Sequence, residues 1–288
     1  MQQLVNGLSV GGIYGLASVG YALIYSVLGF SNFVHGEFSM VGAYAALLTL
    51  VMLKLPFPAS VGVGVLISGL VAVGVERLAY RPLRMKNASG LYFFVAAMGM
   101  SIFLQNFALI LFGANYNPFP EVLPSTTLRL GTLSFGTADM LIFAISMVAV
   151  VILQGILHYT RIGRAIRAAA YDRDAASVLG INMNQICFII FFLTGILAGL
   201  SGIFRGIKYT VYPTMGIIVI KAWICAILGG LGSVSGALAG GLVLGVAETL
   251  IAGFLSTSYR DVFAFVLLIA VLLFRPAGLF GKFVEEKA

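Results

Sequence analysis

Four ionisable side chains sit where none belongs: His35, Glu37, Lys221 and Glu248 each lie in or beside a long apolar run. A charge held inside a hydrocarbon layer costs about 2.5 kcal/mol or more, so such residues are candidates for moving ions, meeting a substrate or bracing a bend. His35 and Glu37 are two positions apart, which on one helix would point them to different faces. They fall in Ser31-Asn32-Phe33-Val34-His35-Gly36-Glu37, a polar interruption that reads as a tight turn near a membrane surface. Its side chains either hold the bend or serve transport directly. Glu248, eight residues after Gly240, reads as a packing acid or a transport residue in the same way.

Hydrolytic chemistry finds little support. Gly199-Leu200-Ser201-Gly202 has the GxSG form, but its serine needs a histidine within hydrogen-bond reach. The two histidines, His35 and His158, both precede it, and in a glycine-rich helix the motif reads as packing. Neither HExxH nor GxxxxGK followed by Ser or Thr occurs. Cys187 and Cys225 lie apart in apolar stretches, without metal or redox spacing, as small buried residues. The expectation is a chain that is not an enzyme and carries no metal, cofactor or nucleotide of its own.

The elements that must position these residues are membrane helices. With 60% hydrophobic and 9% charged residues, the chain has too little polar surface to coat a soluble globule. A bilayer core of about 30 Å takes about 20 helical residues per crossing. No charged side chain occurs from Gln2 to Val34, which reads as a retained first span rather than a cleaved leader. Further apolar runs cover residues 33–53, 57–76, 90–113, 138–157, 184–204, 217–232, 236–255 and 259–275. The fold class is therefore all-α, a polytopic membrane helix bundle of about eight to nine transmembrane spans. Residues 217–232 are short, carry Lys221 and end in Gly229, Gly230 and Gly232, so a re-entrant or broken helix is expected there.

A net charge of +7 could hint at nucleic acid, but the cations collect between spans, where they set orientation and exclude that reading. Arg77, Arg81, Arg84 and Lys86 mark one cytoplasmic loop, and Arg161, Arg164, Arg167 and Arg173 another. Residues 114–136, with Arg129 and Glu121 among Pro118, Pro120 and Pro124, fit an outer loop, which puts the N-terminus outside. Arg275, Lys282 and Lys287 then fall inside, while Arg205 and Lys208 fall outside against the rule. Small residues at four-residue steps, such as Gly7, Gly11 and Gly15, or Gly232, Gly236 and Gly240, allow close helix approach.

From Gly163 to Leu179 the second basic loop is alanine-rich, a strong helix composition, and Gly180 can end it in a left-handed cap. Read alone, it is one or two short cytoplasmic helices that anchor topology. Arg164, Ala168, Ala175, Ala176 and Gly180 would also present a low-profile face that another protein's groove could accept.

Several blocks resemble one family. Gln3-Leu4-Val5-Asn6-Gly7-Leu8, Gly11-Gly12-Ile13-Tyr14-Gly15-Leu16, Asn32-Phe33-Val34-His35-Gly36-Glu37, the loop from Gly163 to Asn182, Gly229-Gly230-Leu231-Gly232-Ser233, and Arg275-Pro276-Ala277-Gly278-Leu279-Phe280-Gly281 resemble the H-type permeases of branched-chain amino acid ABC importers. The resemblance implies a single transmembrane permease domain over residues 1–288, multi-pass in a bacterial inner membrane. It implies a heterodimer with a second permease subunit, two cytoplasmic ATPase subunits that bind ATP and Mg, a periplasmic substrate-binding protein, and amino acid substrates. It places a coupling loop at about 159–183, with Arg161, Gly163, Arg164, Arg167, Ala168, Asp172, Ala175, Ala176 and Gly180 at the ATPase. His35, Glu37, Gly229, Gly230, Gly232 and Glu248 are the candidate translocation or hinge residues. Related permeases for urea or amides, and an ion-coupled secondary transporter with Glu37 and Glu248 as carriers, are the alternatives.

Overall fold

Where no water can satisfy a backbone N–H or C=O, the chain must pair them within itself, and every apolar run here does so as a helix. The computed structural model describes residues 2–123, 127–130 and 133–281. Lys282 and Lys287, used above for orientation, lie outside them, as does Pro124.

The helices that match the apolar runs are α1 Gln2–Leu28, α2 His35–Val51, α3 Phe57–Val75, α5 Gly90–Phe112, α6 Thr137–Tyr159, α9 Met183–Lys208, α10 Ile218–Gly229, α11 Val234–Phe254 and α12 Arg260–Phe274. α3 continues through a π-turn, Glu76–Tyr80, into the short α4, Arg81–Met85. Among the described residues, seven helical stretches are long and apolar enough to cross a bilayer, α12 doing so together with the 3-10 turn Thr257–Tyr259 before it. The two others are shorter: α2 has 17 residues and α10 has 12. At 1.5 Å per residue α10 extends about 18 Å, which falls short of a crossing. The expected break in this region is thus present, with a 3-10 turn Met215–Ile217 before α10 and Gly230 in the left-handed region after it.

Residues 114–136, expected as an outer loop, include a small antiparallel hairpin, β1 Thr127–Leu130 with β2 Leu133–Gly136, whose register pairs Leu130 with Leu133. Asn117 also pairs with Val211 in an isolated bridge, so this segment is tied to the chain that follows α9.

α1 is the central post, packed against α6, α9, α10 and α11. It runs antiparallel to α11 at backbone contact. A Cβ on Gly245 would come within 2.3 Å of the Gly11 backbone, and one on Gly241 within 2.6 Å of Gly15 N. Ser18 adds a hydroxyl donated to Ala237 O at 2.8 Å. A second close pack joins α2, α3 and α9, where Gly42 meets Gly199, Gly202 meets Ser39, and Ser68 Oγ lies 2.7 Å from both Phe38 O and Gly195 O. Gly245→Ala should therefore lower stability by about 1–3 kcal/mol through overpacking. Gly155→Ala in α6, whose Cβ would meet nothing within 4 Å, should be neutral or slightly stabilising. Thermal unfolding in detergent measures both, and equal Tm values for the two variants would contradict the close packing of α1 on α11.

Candidate functional site

The acid in α11 is not alone. Glu248, 2% exposed, accepts Lys221 Nζ on both oxygens at 2.8 and 2.9 Å and the Tyr14 hydroxyl at 2.9 Å. Lys221 also pairs with Asp261 Oδ1 at 2.9 Å and lies 5.5 Å from the Tyr14 ring centroid. α1, α10, α11 and α12 are thereby pinned at one point. A buried carboxylate in lipid is tolerable when a cation and a hydroxyl share its charge, as here. Tyr14 and Asp261 were not singled out by sequence, because nothing local links Tyr14 to an acid 234 positions away.

Tyr14, Lys221 and Asp261 of this cluster line a cavity of about 590 Å³. Arg205 from α9, Tyr209 and Tyr212 from the connection after it, and Arg260 from α12 contribute polar groups, while Val10, Ile13, Ile217, Ile218, Ile220 and Phe265 line it with hydrocarbon. The two cations that counted against the orientation rule are thus both engaged. Lys208 pairs with Asp139, and Arg205 donates to Met215 O at 2.6 Å and to the Tyr212 hydroxyl at 3.0 Å.

His35 and Glu37 open α2 and are 1% and 5% exposed, so they do not lie at a surface as expected. The chain leaves α1 at Gly29, φ +64°, and turns back so that α2 starts inside the bundle. His35 Nε2 sits 3.0 Å from Ala17 O, in the middle of α1. Glu37 points the other way, accepting from Ser101 of α5 at 3.0 Å and packing on Gly216, where a Cβ would come within 2.5 Å of both of its oxygens. Their divergence follows the two-residue spacing. Both therefore join the α1–α2 break to other elements, and Gly36 must stay a glycine because a Cβ would lie 1.9 Å from Gly216 O. As a brace, Glu37→Gln keeps an acceptor for Ser101 and should change transport by no more than about twofold. Abolished transport in that variant, measured as uptake into vesicles, would instead mean that Glu37 exchanges a proton.

The glycines of the second break divide by role. Gly229 is a packing glycine, since its Cβ would lie 1.9 Å from Gly236 O. Gly230 and Gly232 are conformational, with φ +105° and +86°. The turn after α12 closes over this break: Leu279 N donates to Leu228 O at 2.8 Å and Phe280 N to Gly229 O at 3.0 Å, satisfying carbonyls that the end of α10 leaves open.

The basic loop folds as α7 Arg161–Tyr171 and α8 Arg173–Val178. Side-chain caps set its boundaries. Thr160 accepts from Gly163 N at 3.0 Å, Asp172 from Ala175 N at 2.9 Å and Asn182 from Asn184 N at 3.0 Å, while Gly180 takes φ +85°. Gly163, Ile166 and Ala169 face the bundle and Arg161, Arg164 and Tyr171 face out. One residue of the low-profile face, Ala176, and one of the coupling set, Gly163, therefore point inward. Ala176 is 2% exposed, and Gly163 sits so close to α6 that a Cβ would be 2.3 Å from Ile156 O. The reason is that this short amphipathic pair has its own apolar stripe to bury. A crevice lined by Leu23 and Ser26 of α1, Ile166 and Arg167 of α7, and Gly232 and Ser235 puts α7 beside the α10–α11 break. At the α1–α2 break, Arg173 Nη2 lies 2.9 Å from where a Gly29 Cβ would be.

Ser201 is fully buried and donates to Ile13 O at 2.9 Å, so it ties α9 to α1 and does not stand as an exposed nucleophile.

The family model described as branched-chain amino acid transport system, permease component, matches residues 3–272. The high-affinity branched-chain amino acid transport system permease protein BraD of Pseudomonas aeruginosa is 38% identical over 307 residues, covering 100% of this chain and 97% of that protein. The corresponding permease protein LivH of Escherichia coli is 36% identical over 301 residues, with the same coverage. Among solved structures, PsaBC from Streptococcus pneumoniae in complex with Fab has a TM-score of 0.53 at 12% identity, covering 96% of this chain and 93% of that one, which is a likeness of fold. With its helical bundle, its spans and a family match along nearly its whole length, the chain belongs to the branched-chain amino acid transport permeases and is a multi-pass membrane protein.

Proposed function

We propose that this chain is a membrane-spanning subunit of an ATP-driven importer for branched-chain amino acids in a bacterial inner membrane. The observation that carries the reading is the identity of 38% and 36% to proteins named as high-affinity branched-chain amino acid permeases, over 97% of their lengths. A second permease subunit completes the path, two ATPase subunits bind ATP and Mg from the cytoplasm, and a periplasmic binding protein delivers the amino acid. The single permease domain spans residues 1–288, and residues 159–183 form its coupling loop.

The placement of α7 and α8 supports a mechanism. Closure of an ATPase dimer pushes on an outward face that carries Arg161 and Arg164, and the buried side of the same helices rests beside both breaks. Motion is therefore delivered to the points where α1–α2 and α10–α11 already depart from straight helix, and it biases the bundle between inward-open and outward-open arrangements. Selectivity can reside largely in the binding protein, because a path that held substrate tightly would release it slowly. The ion-coupled reading is not favoured: Glu248 is neutralised by Lys221, and the two relatives described above are named as branched-chain amino acid transport permeases.

Uptake of labelled leucine into proteoliposomes tests the reading. Uptake is expected only with both permease subunits, the ATPases, the binding protein and ATP together. Uptake by this chain alone, driven by an ion gradient, would overturn it.

A further inference from the structure

The cavity beside the charge cluster carries an imbalance. Arg205, Lys221 and Arg260 line it with Asp261, and Glu248 stands behind Lys221. Lys221 is matched by the two carboxylates. Arg205 has no carboxylate partner among the described residues, its guanidinium being held by a carbonyl and a phenol, while Asp261 pairs through Oδ1 alone and its side chain is 75% exposed. Arg205 stands in the last turn of α9, at the mouth of the cavity, with its charge left uncancelled by any acid among the described residues. A volume of about 590 Å³ falls within the about 300–1,000 Å³ of small-molecule sites. The remaining wall is branched aliphatic, from Val10, Ile13, Ile217, Ile218 and Ile220.

We propose that this cavity is a transient binding site for a zwitterionic, aliphatic α-amino acid, with Arg205 receiving the carboxylate, Asp261 receiving the ammonium, and the isoleucine wall receiving the side chain. The inference rests on the reading given under Proposed function and adds a place within this subunit where substrate pauses. Tyr212, which fixes the guanidinium, is a positioning residue. Guanidinium presents paired donors to a carboxylate, whereas Lys221 is already committed to Glu248 and Asp261. The site is weak by construction: the cavity is open and Asp261 is shared, as a path that must release its cargo requires.

The test uses Ile217→Cys, since Ile217 lines the cavity and is 62% exposed while Cys187 and Cys225 are buried. In the purified permease–ATPase complex without binding protein, leucine at saturating concentration should slow labelling by a polar maleimide about threefold or more. Isoamylamine, which lacks the carboxylate, and 4-methylpentanoate, which lacks the amine, should not. Adding Arg205→Gln should remove the protection and lower leucine uptake about tenfold, the scale of one lost charged hydrogen bond, while Arg205→Lys keeps part of both. If leucine leaves labelling unchanged in a complex that does import leucine, or if Arg205→Gln is protected as well as the parent, the site is refuted and the transport reading stands. A complete wild-type complex that imports no leucine would overturn the transport reading and this site with it. Should Arg205→Gln fail to assemble, the comparison of leucine with its two truncated analogues on the Ile217→Cys complex decides alone.

Discussion

Arg164→Glu combined with Ala168→Glu is expected to abolish leucine uptake while leaving the permease folded. Arg164 is exposed on the outward side of α7 between Arg161 and Tyr171, and Ala168 is half-buried, resting partly against the bundle core. Glutamate is a good helix former, and the Thr160 cap and the inward residues Gly163, Ile166 and Ala169 are untouched, so α7 should persist. What changes is the sign of the face offered to the ATPase. Misplaced charge across an interface costs several kcal/mol, and at about 3 kcal/mol association falls roughly a hundredfold. Co-purification of the ATPase subunits with the variant measures the loss directly. Undiminished association and uptake would remove α7 from the coupling role.

Glu248→Ala carries the second large effect, on stability. It strips Lys221 Nζ of contacts at 2.8 and 2.9 Å and leaves the Tyr14 hydroxyl without its acceptor. Removing one partner of a buried ion pair costs about 3–5 kcal/mol, and the lower end applies because Lys221 still reaches Asp261 at the cavity. Pairing Glu248→Met with Lys221→Met should recover most of the loss, since apolar replacement of both partners is often neutral. Thermal unfolding of the purified subunit in detergent reads both variants. A double variant no more stable than Glu248→Ala would mean that the charges themselves, and not their mutual satisfaction, hold α10, α11 and α12 together.

These two expectations differ in how far the sequence alone could reach them. The loop helix was legible because alanine and arginine composition and Gly180 are local signals, and the family resemblance implied a role for it. That Gly163 and Ala176 face inward was not legible, since a helix under twelve residues leaves few positions to define a stripe. The nine apolar runs gave the helices, but a helix that is apolar all round shows no periodicity to say which side meets protein and which meets lipid. The contact of Gly245 on Gly11 and the depth at which α2 starts were therefore invisible. Glu248 and Lys221 were visible singly as charges in apolar surroundings. Their convergence with Tyr14 and Asp261 depends on four helices and follows only from the tertiary structure.

In the proposed mechanism force is generated outside this chain and enters at α7 and α8, so everything turns on which side of the membrane those helices occupy. Tyr171 is 95% exposed at the end of α7, and both native cysteines are buried, so Tyr171→Cys offers a single reactive thiol. A membrane-impermeant maleimide should label it in inside-out vesicles and leave it unmodified in right-side-out vesicles. Labelling from the periplasmic side instead would put the arginine face out of reach of any cytoplasmic ATPase and contradict the mechanism.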